Sequence, residues 1–370
     1  MTPTLVAPPQ HLLVRLPNPA GDVVASTPAL LALRRALPRT RITWAGRKPA
    51  VDLVDGLDAA DALFEVTGEL LEGAKAPLRL GRAWRDMGVD AVLLFPNSWS
   101  SALAARASGA GVRMGYARRG RQALLTHAIA PPREDGAIVA EPMRTYYLRL
   151  AALLGADGAG ERARVVTTTE GEAKARTRLA GAGDGPFLGV SPGAAFGPSK
   201  IYPPERLADA VRQVRAETGL VPLVLCGPGE EELGREVVER VGSPVVSTHA
   251  PIARWPEAKA LLRRCALLLG PDAGTRHVAT ALGIPAVAIF GPTDPRWSGG
   301  DEGSVTVVRR EDLDCLGCHL KVCPIGHPCM KGLDPTLVAR ACVVRVQGHA
   351  GEGEAPLASR GVLPGPPPPP

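Results

Sequence analysis

Aromatic side chains and long hydrophobic runs are scarce in this 370-residue chain. Phe, Trp and Tyr make up only 4% of the sequence. No apolar run reaches the roughly eighteen residues that a membrane-spanning helix needs, which excludes such a helix. The first ten residues lack the basic start and apolar centre of a signal peptide. We therefore expect a cytoplasmic protein, and peripheral contact with a membrane stays open as an alternative.

Two kinds of motif are also absent. No Gly-x-Gly-x-x-Gly turn is followed about twenty residues later by an acid, which counts against an NAD-linked oxidoreductase. No RNA- or DNA-binding motif occurs either, so we expect no nucleic-acid partner. The formal net charge of +6 instead fits an anionic substrate or a membrane surface.

Short apolar stretches alternate with amphipathic ones, which predicts α/β architecture with parallel sheets covered by helices on both faces. Strands are predicted at His11–Leu16, Phe187–Val190 and Leu267–Leu269, among others. A helix is predicted at Ser26–Leu37, because Pro28 suits a first turn. The pattern restarts after the Gly- and Ala-rich stretch Gly155–Arg162, which we interpret as a linker.

This restart predicts two Rossmann-like domains in tandem, at residues 1–165 and 166–347. The remaining stretch, 348–370, ends in consecutive prolines and is predicted to be disordered.

The stretch from Ser191 to Tyr202 follows the strand Phe187–Val190 and precedes a predicted helix start at Pro203. Strand, small-residue loop and helix start together form a pocket of backbone N–H groups that suits an anion. Lys200 adds a cation at its rim, and Ser199 adds a hydroxyl donor. The sequence therefore predicts a diphosphate site in the second half of the chain.

Gly21 and Asp22 follow the first strand, at the edge of the sheet where ligands bind in open α/β folds. A carboxylate there suits a general base that takes a proton from an attacking hydroxyl. The alternative is a turn whose Asp22 caps the following helix.

Several motifs together resemble the family-nine glycosyltransferases, the ADP-heptose:lipopolysaccharide heptosyltransferases. They are Arg15 to Val24 with Thr27-Pro28-Ala29-Leu30, Pro192 to Lys200 with Pro203, Gly270 to Ala279, Ala281 to Pro285, and Phe290 to Pro295. The resemblance leans toward the heptosyltransferase II branch. The chain departs from the family pattern at Pro271, Ala273, Thr275-Arg276 and Ile201-Tyr202.

The resemblance implies the glycosyltransferase-B fold, two Rossmann-like domains facing an interdomain cleft. It implies an inverting transfer of heptose from ADP-L-glycero-D-manno-heptose to heptosyl-Kdo2-lipid A, at the cytoplasmic face of the inner membrane. The N-terminal domain would bind the acceptor and the C-terminal domain the donor. No cofactor is implied for catalysis.

The resemblance and the residues together give the predicted site. Asp22 is the predicted base. The predicted donor-binding residues are Ser199, Lys200, Glu231, Asp272, Ala273, Gly274 and His277. Glu230 remains an alternative to Glu231, which we prefer. The predicted acceptor-binding residues are Asn18, Arg47, Lys48, Arg118 and Arg121.

Four cysteines lie within fifteen residues, at Cys315, Cys318, Cys323 and Cys329. Thiols in the cytoplasm are expected to be reduced or metal-bound. This spacing is compatible with a structural zinc or an iron–sulfur cluster, with His319 or His327 as alternative ligands. The other interpretation is a loop of reduced thiols.

Two other functions stay open. One is a transferase of the same family with another acceptor. The other is a non-catalytic protein that binds a nucleotide sugar or a metal.

Overall fold

The computed structural model describes residues 8–134, 137–183, 185–298 and 303–351, and it divides into two compact units. The N-terminal unit ends at Thr168 and also takes in a short segment that begins at Asp294. The C-terminal unit runs from Thr169 to Thr293 and resumes at Gly303. The predicted linker Gly155–Arg162 thus lies inside the N-terminal unit.

The N-terminal unit contains a 6-stranded parallel sheet with strand order β3-β2-β1-β4-β5-β6. Every residue of β1 is buried, as expected for a central parallel strand. The strands are β1 (His11–Arg15), β2 (Arg41–Gly46), β3 (Ala62–Glu65), β4 (Ala91–Leu94), β5 (Val112–Tyr116) and β6 (His127–Ile129). A small antiparallel pair follows, β7 (Arg133–Glu134) and β8 (Ala137–Ile138).

The described helices of this unit are α1 (Ala20–Ala36), α2 (Lys48–Val54), α3 (Ala76–Asp86), α4 (Trp99–Ala107) and α5 (Met143–Ala151). The predicted start of α1 at Ser26 is wrong, because the helix begins at Ala20 and keeps Pro28 in its interior. Proline has no N–H to donate to the carbonyl of Val24. The Thr27 hydroxyl donates to that carbonyl instead, at 2.8 Å, which satisfies the acceptor that Pro28 leaves open.

The C-terminal unit repeats the same topology, with strand order β11-β10-β9-β12-β13-β14. All its paired strands run parallel. They are β9 (Phe187–Val190), β10 (Val221–Val224), β11 (Val246–Ser247), β12 (Cys265–Pro271), β13 (Ala286–Ile289) and β14 (Val305–Val308). The structure therefore confirms β9 as predicted, and it extends the predicted strand Leu267–Leu269 in both directions.

The described helices of the C-terminal unit are α6 (Thr169–Arg178), α7 (Pro204–Thr218), α8 (Glu231–Val241), α9 (Trp255–Leu262), α10 (Gly274–Ala281), α11 (Pro328–Lys331) and α12 (Pro335–Gly351). Because α12 continues to Gly351, the predicted disordered tail cannot begin at residue 348. Residues 352–370 lie outside the described part of the chain. No helix within the described ranges is both long and apolar enough to cross a bilayer.

Candidate active site

Asp22 is the third residue of α1, the helix that follows β1. The N-cap of this helix is Pro19, so the alternative role of Asp22 as a cap is excluded. The Asp22 carboxyl is half-buried and has no hydrogen-bond partner among the described residues, and burial raises its pKa to about 6. A carboxylate with such a pKa is ionised at neutral pH and basic enough to accept a proton.

Tyr147 of α5 lies close to Asp22. Helix α5 packs against α1, and the Tyr147 side chain is buried there. The pKa of Tyr147 lies well above its ordinary value because of burial and, next, because of the Asp22 charge. The surroundings that raise the pKa of Asp22 therefore include the Tyr147 ring, whose hydroxyl stays protonated.

Arg15 ends β1, and it was not among the predicted site residues. The residue is only 4% exposed. Burial and then the neighbouring Arg47 charge lower the pKa of its guanidinium to about 10. Within the described ranges no carboxylate lies at ion-pair distance from Arg15. A charged residue closing an apolar strand was the signal that could have identified it.

Three predicted acceptor residues lie around Arg15 and the end of β2. Asn18 has its side-chain oxygen 3.5 Å from the Arg15 Nη2 atom. Arg47 is exposed and is the N-cap residue of α2. Lys48, next in sequence, pairs its amine with the buried carboxylate of Asp52. Arg47 is thus the more available of the two cations.

The structure assigns Arg121 a framework role that differs from the predicted acceptor contact. Its side chain is fully buried. The guanidinium donates to the carbonyls of Tyr116, Pro96 and Ser98 and to the side-chain oxygen of Asn97. These bonds fix the loop after β4 against the segment after β5. Arg121 therefore has no exposed donor left for an acceptor.

Arg118 remains at this edge of the sheet. Burial raises the pKa of the Tyr146 hydroxyl, while Asn97 and Arg118 beside it oppose that rise. Arg118 is only half-buried, so it keeps access to solvent.

In the C-terminal unit, Ser199 connects the predicted diphosphate loop to the cysteine segment, residues 315–329. The Ser199 hydroxyl donates to the carbonyl of Leu320 at 2.6 Å, and the Ser199 N–H donates to the carbonyl of Lys321 at 3.1 Å. Ser199 is buried in this arrangement. Its hydroxyl thus positions the loop, whereas the sequence predicted a donor contact.

Lys200 and Asp272 form the centre of a buried charge cluster. The Lys200 amine donates to the Asp272 carbonyl at 2.6 Å and to its carboxylate at 2.8 Å. The same carboxylate accepts hydrogen bonds from Arg276, at 3.1 Å, and from Thr293, at 2.9 Å. Burial opposes ionisation, but the Lys200 and Arg276 charges hold the pKa of Asp272 well below its usual range. Two cations therefore share one carboxylate.

Arg276 and Thr293 were not predicted as site residues. Arg276 lies four residues after Asp272, which is the spacing of an ion pair across one helical turn and was the available signal. Thr293 comes within hydrogen-bond distance of the Asp272 carboxylate only because of the way the chain folds after β13. Ala273 is the N-cap of α10, and Gly274 is its first residue, so both stand beside the cluster.

His277 contacts the same cluster. Its Nε2 atom lies 2.7 Å from the Arg276 Nη2 atom and 4.0 Å from the Asp272 carboxylate. Burial and then the Arg276 charge lower the pKa of His277 to about 3. The imidazole is therefore neutral at physiological pH and can offer a ligand a hydrogen bond but no charge.

The structure favours Glu230 over Glu231 at the diphosphate loop. The Glu230 carboxylate is half-buried and accepts a hydrogen bond from Gly227 N–H at 2.8 Å. A Cβ atom added at Gly193 would lie 2.2 Å from Glu230, so this glycine permits a close approach of the two. Glu231 is exposed. Donor binding by Glu231 stays a prediction, whereas Glu230 is the carboxylate that lies beside the loop.

The thiols of the cysteine segment are all free. Burial raises the pKa of Cys329, and the nearby Cys315 and Cys323 raise it further. Cys323 Sγ accepts a hydrogen bond from His327 N–H at 3.3 Å. In the part of the chain that the structure describes, no three His, Cys, Asp or Glu side chains are placed to hold a metal ion.

The family of the chain follows from a comparison with known sequences. Residues 77–328 match the family described as glycosyltransferase family 9 (heptosyltransferase). This match covers more than half of the chain. The chain belongs to glycosyltransferase family 9. It is therefore an enzyme of the glycosyltransferase class, and the resemblance predicted from its motifs is confirmed.

Individual relatives agree with the family. Lipopolysaccharide heptosyltransferase 2 of Salmonella typhimurium is 25% identical over 302 residues, which cover 77% of this chain and 83% of that protein. The solved structure of ADP-heptose lps heptosyltransferase II from E. coli has a TM-score of 0.74 at 20% identity, covering 92% of this chain and 100% of that one.

A family-nine glycosyltransferase from Veillonella parvula gives a TM-score of 0.78 at 21% identity, with 92% and 97% of the two chains covered. These likenesses confirm the predicted glycosyltransferase-B fold class. The matched residues 77–328 include Lys200, Asp272 and all of the cysteine segment except Cys329. Asp22 and Arg15 lie before them.

Proposed function

We propose that this family-nine glycosyltransferase transfers heptose from ADP-L-glycero-D-manno-heptose to the lipopolysaccharide inner core, at heptosyl-Kdo2-lipid A. The observation that carries the chemistry is the half-buried Asp22 carboxyl with its pKa raised to about 6. The choice of donor and acceptor rests on relatives named as lipopolysaccharide heptosyltransferases. We place the reaction at the cytoplasmic face of the inner membrane, where the lipid-linked acceptor would be met.

In the proposed reaction Asp22 accepts the proton of the acceptor hydroxyl as its oxygen attacks the anomeric carbon. The bond between that carbon and the diphosphate oxygen breaks, and ADP leaves with the electron pair. A single displacement of this kind inverts the anomeric configuration. Positive groups near the leaving oxygen stabilise its developing charge. We assign this part to Lys200 and Arg276.

The other donor contacts are assigned to groups around the buried cluster. We propose that Glu230 accepts hydrogen bonds from the ribose hydroxyls, and that His277 and the N-terminus of α10 at Ala273 and Gly274 contact the diphosphate or the sugar. Asp272 acts by holding Lys200 and Arg276 in place, since its carboxylate already accepts their hydrogen bonds. On the acceptor side we assign Asn18, Arg47, Lys48 and Arg118.

The test is acceptor-dependent turnover. The purified chain is incubated with ADP-heptose and delipidated heptosyl-Kdo2 acceptor, and the product is followed by mass spectrometry and anomeric NMR. An added heptose of inverted configuration supports the proposal. UDP- and GDP-sugars serve as controls. Turnover with UDP- or GDP-sugars but not with ADP-heptose would refute the proposal. Cleavage of ADP-heptose at a rate that does not depend on the acceptor would also refute it. A product on another acceptor alone would keep the chemistry and change the substrate.

We further propose that Cys315, Cys318, Cys323 and Cys329 hold a structural zinc ion or iron–sulfur cluster and that transfer uses neither. Their spacing supports this, although binding has to draw the sulfurs together. Elemental analysis of the purified protein should find a stoichiometric metal that is lost in Cys318→Ser. Metal-free protein with full stability and turnover would contradict the proposal.

A further inference from the structure

Arg15 is a buried charge that the proposed transfer reaction does not use. Its Nη1 atom donates to the carbonyls of Leu16 and Ala45, at 2.9 and 3.1 Å. Its Nη2 atom reaches only the Asn18 side-chain oxygen, at 3.5 Å, which is a long contact. These partners are neutral. Within the described ranges, therefore, nothing balances the Arg15 charge.

An unbalanced buried charge is costly, because an ion taken out of water loses its hydration and hydrogen bonds to neutral groups replace only part of it. A neutral donor could bind the same two carbonyls without that cost. The nearest charge is moreover another cation, Arg47, which lowers the pKa of Arg15 further. Two adjacent cations with no counter-ion are the arrangement that a bound anion would stabilise.

The position of these cations fits a ligand. Arg15 ends β1, and Arg47 directly follows β2, so both stand at the carboxyl edge of the sheet. The strand order reverses beside β1, whose neighbours are β2 and β4, and ligands of open α/β sheets bind at such a reversal. Asp22, the proposed base, belongs to the helix that leaves this same edge.

We propose that Arg15 and Arg47 bind an oxyanion of the acceptor, a carboxylate or a phosphate carried by the sugar close to the reacting hydroxyl. The planar fork of arginine can donate two parallel hydrogen bonds to either group. The inference rests on the proposed function, since it assumes that the N-terminal unit binds the acceptor. It adds Arg15 as an acceptor-binding residue and gives Arg15 and Arg47 a shared ligand group.

Binding without donor provides the first test. Calorimetry compares delipidated heptosyl-Kdo2 acceptor with its carboxyl-reduced form and its dephosphorylated form. The wild-type chain should bind the intact acceptor at least about tenfold more tightly than one of the modified forms, and that form identifies the anion. Arg47→Gln should lose this preference. Arg41→Gln is the matched control, since Arg41 is an exposed arginine at the opposite end of β2 and should keep it.

Arg15 is tested by two variants. Arg15→Lys keeps the charge and loses the fork, and Arg15→Met loses both. We expect the KM for the acceptor to rise in both variants, and more in Arg15→Met than in Arg15→Lys. The change in kcat should be smaller than the change in KM. With the carboxyl-reduced or the dephosphorylated acceptor, the KM values of variant and wild type should lie closer together. If Arg15→Met does not fold, Arg15→Lys and Arg47→Gln decide the matter.

Equal binding of all three acceptor forms by the wild-type chain would overturn the inference. So would an equal loss of preference in Arg41→Gln and Arg47→Gln. Failure of the proposed function gives a different result, because the calorimetry contains no donor. Selective binding of the acidic acceptor without any heptose transfer would refute the transfer and retain the anion site.

Discussion

The two units share one strand topology but differ in how three of their site residues are paired, Arg15 and Asp22 in one unit and Asp272 in the other. In the described part of the N-terminal unit, Arg15 has no counter-charge and Asp22 has no hydrogen-bond partner. In the C-terminal unit, Lys200 and Arg276 bind the carboxylate of Asp272. Asp22 therefore keeps its capacity for a proton and Arg15 keeps an uncompensated charge for a ligand, whereas the groups around Asp272 are held in fixed positions before a ligand arrives.

This difference matches two kinds of chemical task. A base must change its protonation during turnover, so a carboxyl with a pKa near neutrality serves it. A site for a leaving diphosphate should keep its charges unchanged, because fixed dipoles and ions stabilise a transition state without reorganising. We infer that the pairing at Asp272 and its absence at Arg15 and Asp22 reflect these opposite requirements.

The largest expected effect is on turnover in Asp22→Asn. Removing the base should lower heptose transfer by about 10²–10⁴-fold. Affinity for ADP should stay close to that of wild type, because Asp22 lies in the other unit from the Lys200 cluster. Steady-state transfer rates and calorimetry with ADP measure the two quantities.

Asp58→Asn is the control for this variant, since Asp58 is an exposed carboxylate of the same unit. It should retain full activity. Normal turnover in Asp22→Asn would show that the unpaired carboxyl is not the base. The difference between the two units would then have no link to catalysis.

The second effect is on stability in Asp272→Asn. This change leaves Lys200 and Arg276 buried without the carboxylate that they share, and breaking a buried ion pair costs roughly 3–5 kcal/mol. Urea unfolding should show a loss of this size. A companion variant, Asp209→Asn, removes an acid of the same unit whose ion pair with Arg212 is exposed on both sides. It should cost under about 1 kcal/mol. Similar losses in both would mean that the cluster stores no special stability.

The sequence predicted the repeated α/β pattern because its signals are local. The apolar run Phe187–Val190 is β9, with the predicted bounds. The start of α1 could not be predicted in this way. Pro28 suggested a first turn, and only the hydroxyl of Thr27, donating to the Val24 carbonyl, makes an interior proline acceptable.

The site was harder to predict where distant parts of the chain meet. Asp22, Lys200 and Asp272 could be predicted as site residues because each lies within a recognisable sequence motif. The choice between Glu230 and Glu231 depends on which carboxylate approaches Gly193, some forty residues earlier in the chain. The hydrogen bond from the Ser199 hydroxyl to the Leu320 carbonyl likewise follows from tertiary packing, and no local sequence signal predicts it.

The third effect is on the pH profile of transfer. Because the pKa of Asp22 is about 6, the base becomes protonated as the pH falls through that value. Below it, kcat/KM should fall about tenfold per pH unit, because kcat/KM reports the ionising groups of the free enzyme. His277, whose pKa is about 3, and Asp272, whose pKa is lower than usual, do not titrate in this range. A profile that stays flat down to pH 5 would contradict the assignment of Asp22.

The smallest expected effect is a gain of stability in Asp22→Asn. The folded-state pKa of Asp22, about 6, exceeds the unfolded value near 3.9, so the folded state binds this proton more tightly. Stability from this group is therefore complete below about pH 4 and is lost as the pH rises through 6. At pH 7.5 the buried charge is a cost that asparagine removes. The shift corresponds to at most about 3 kcal/mol, and partial exposure reduces this to roughly 1–2 kcal/mol.

Urea unfolding at two pH values measures that gain. Asp22→Asn should be more stable than wild type at pH 7.5 and equal to it near pH 3, where the aspartate is neutral in both the folded and the unfolded state. Asp272→Asn should instead be less stable than wild type at pH 7.5, because the Asp272 carboxylate is stabilised by its two cations. If Asp22→Asn is instead destabilised at neutral pH, the Asp22 carboxylate has a favourable partner after all, and the two units do not differ in the way described.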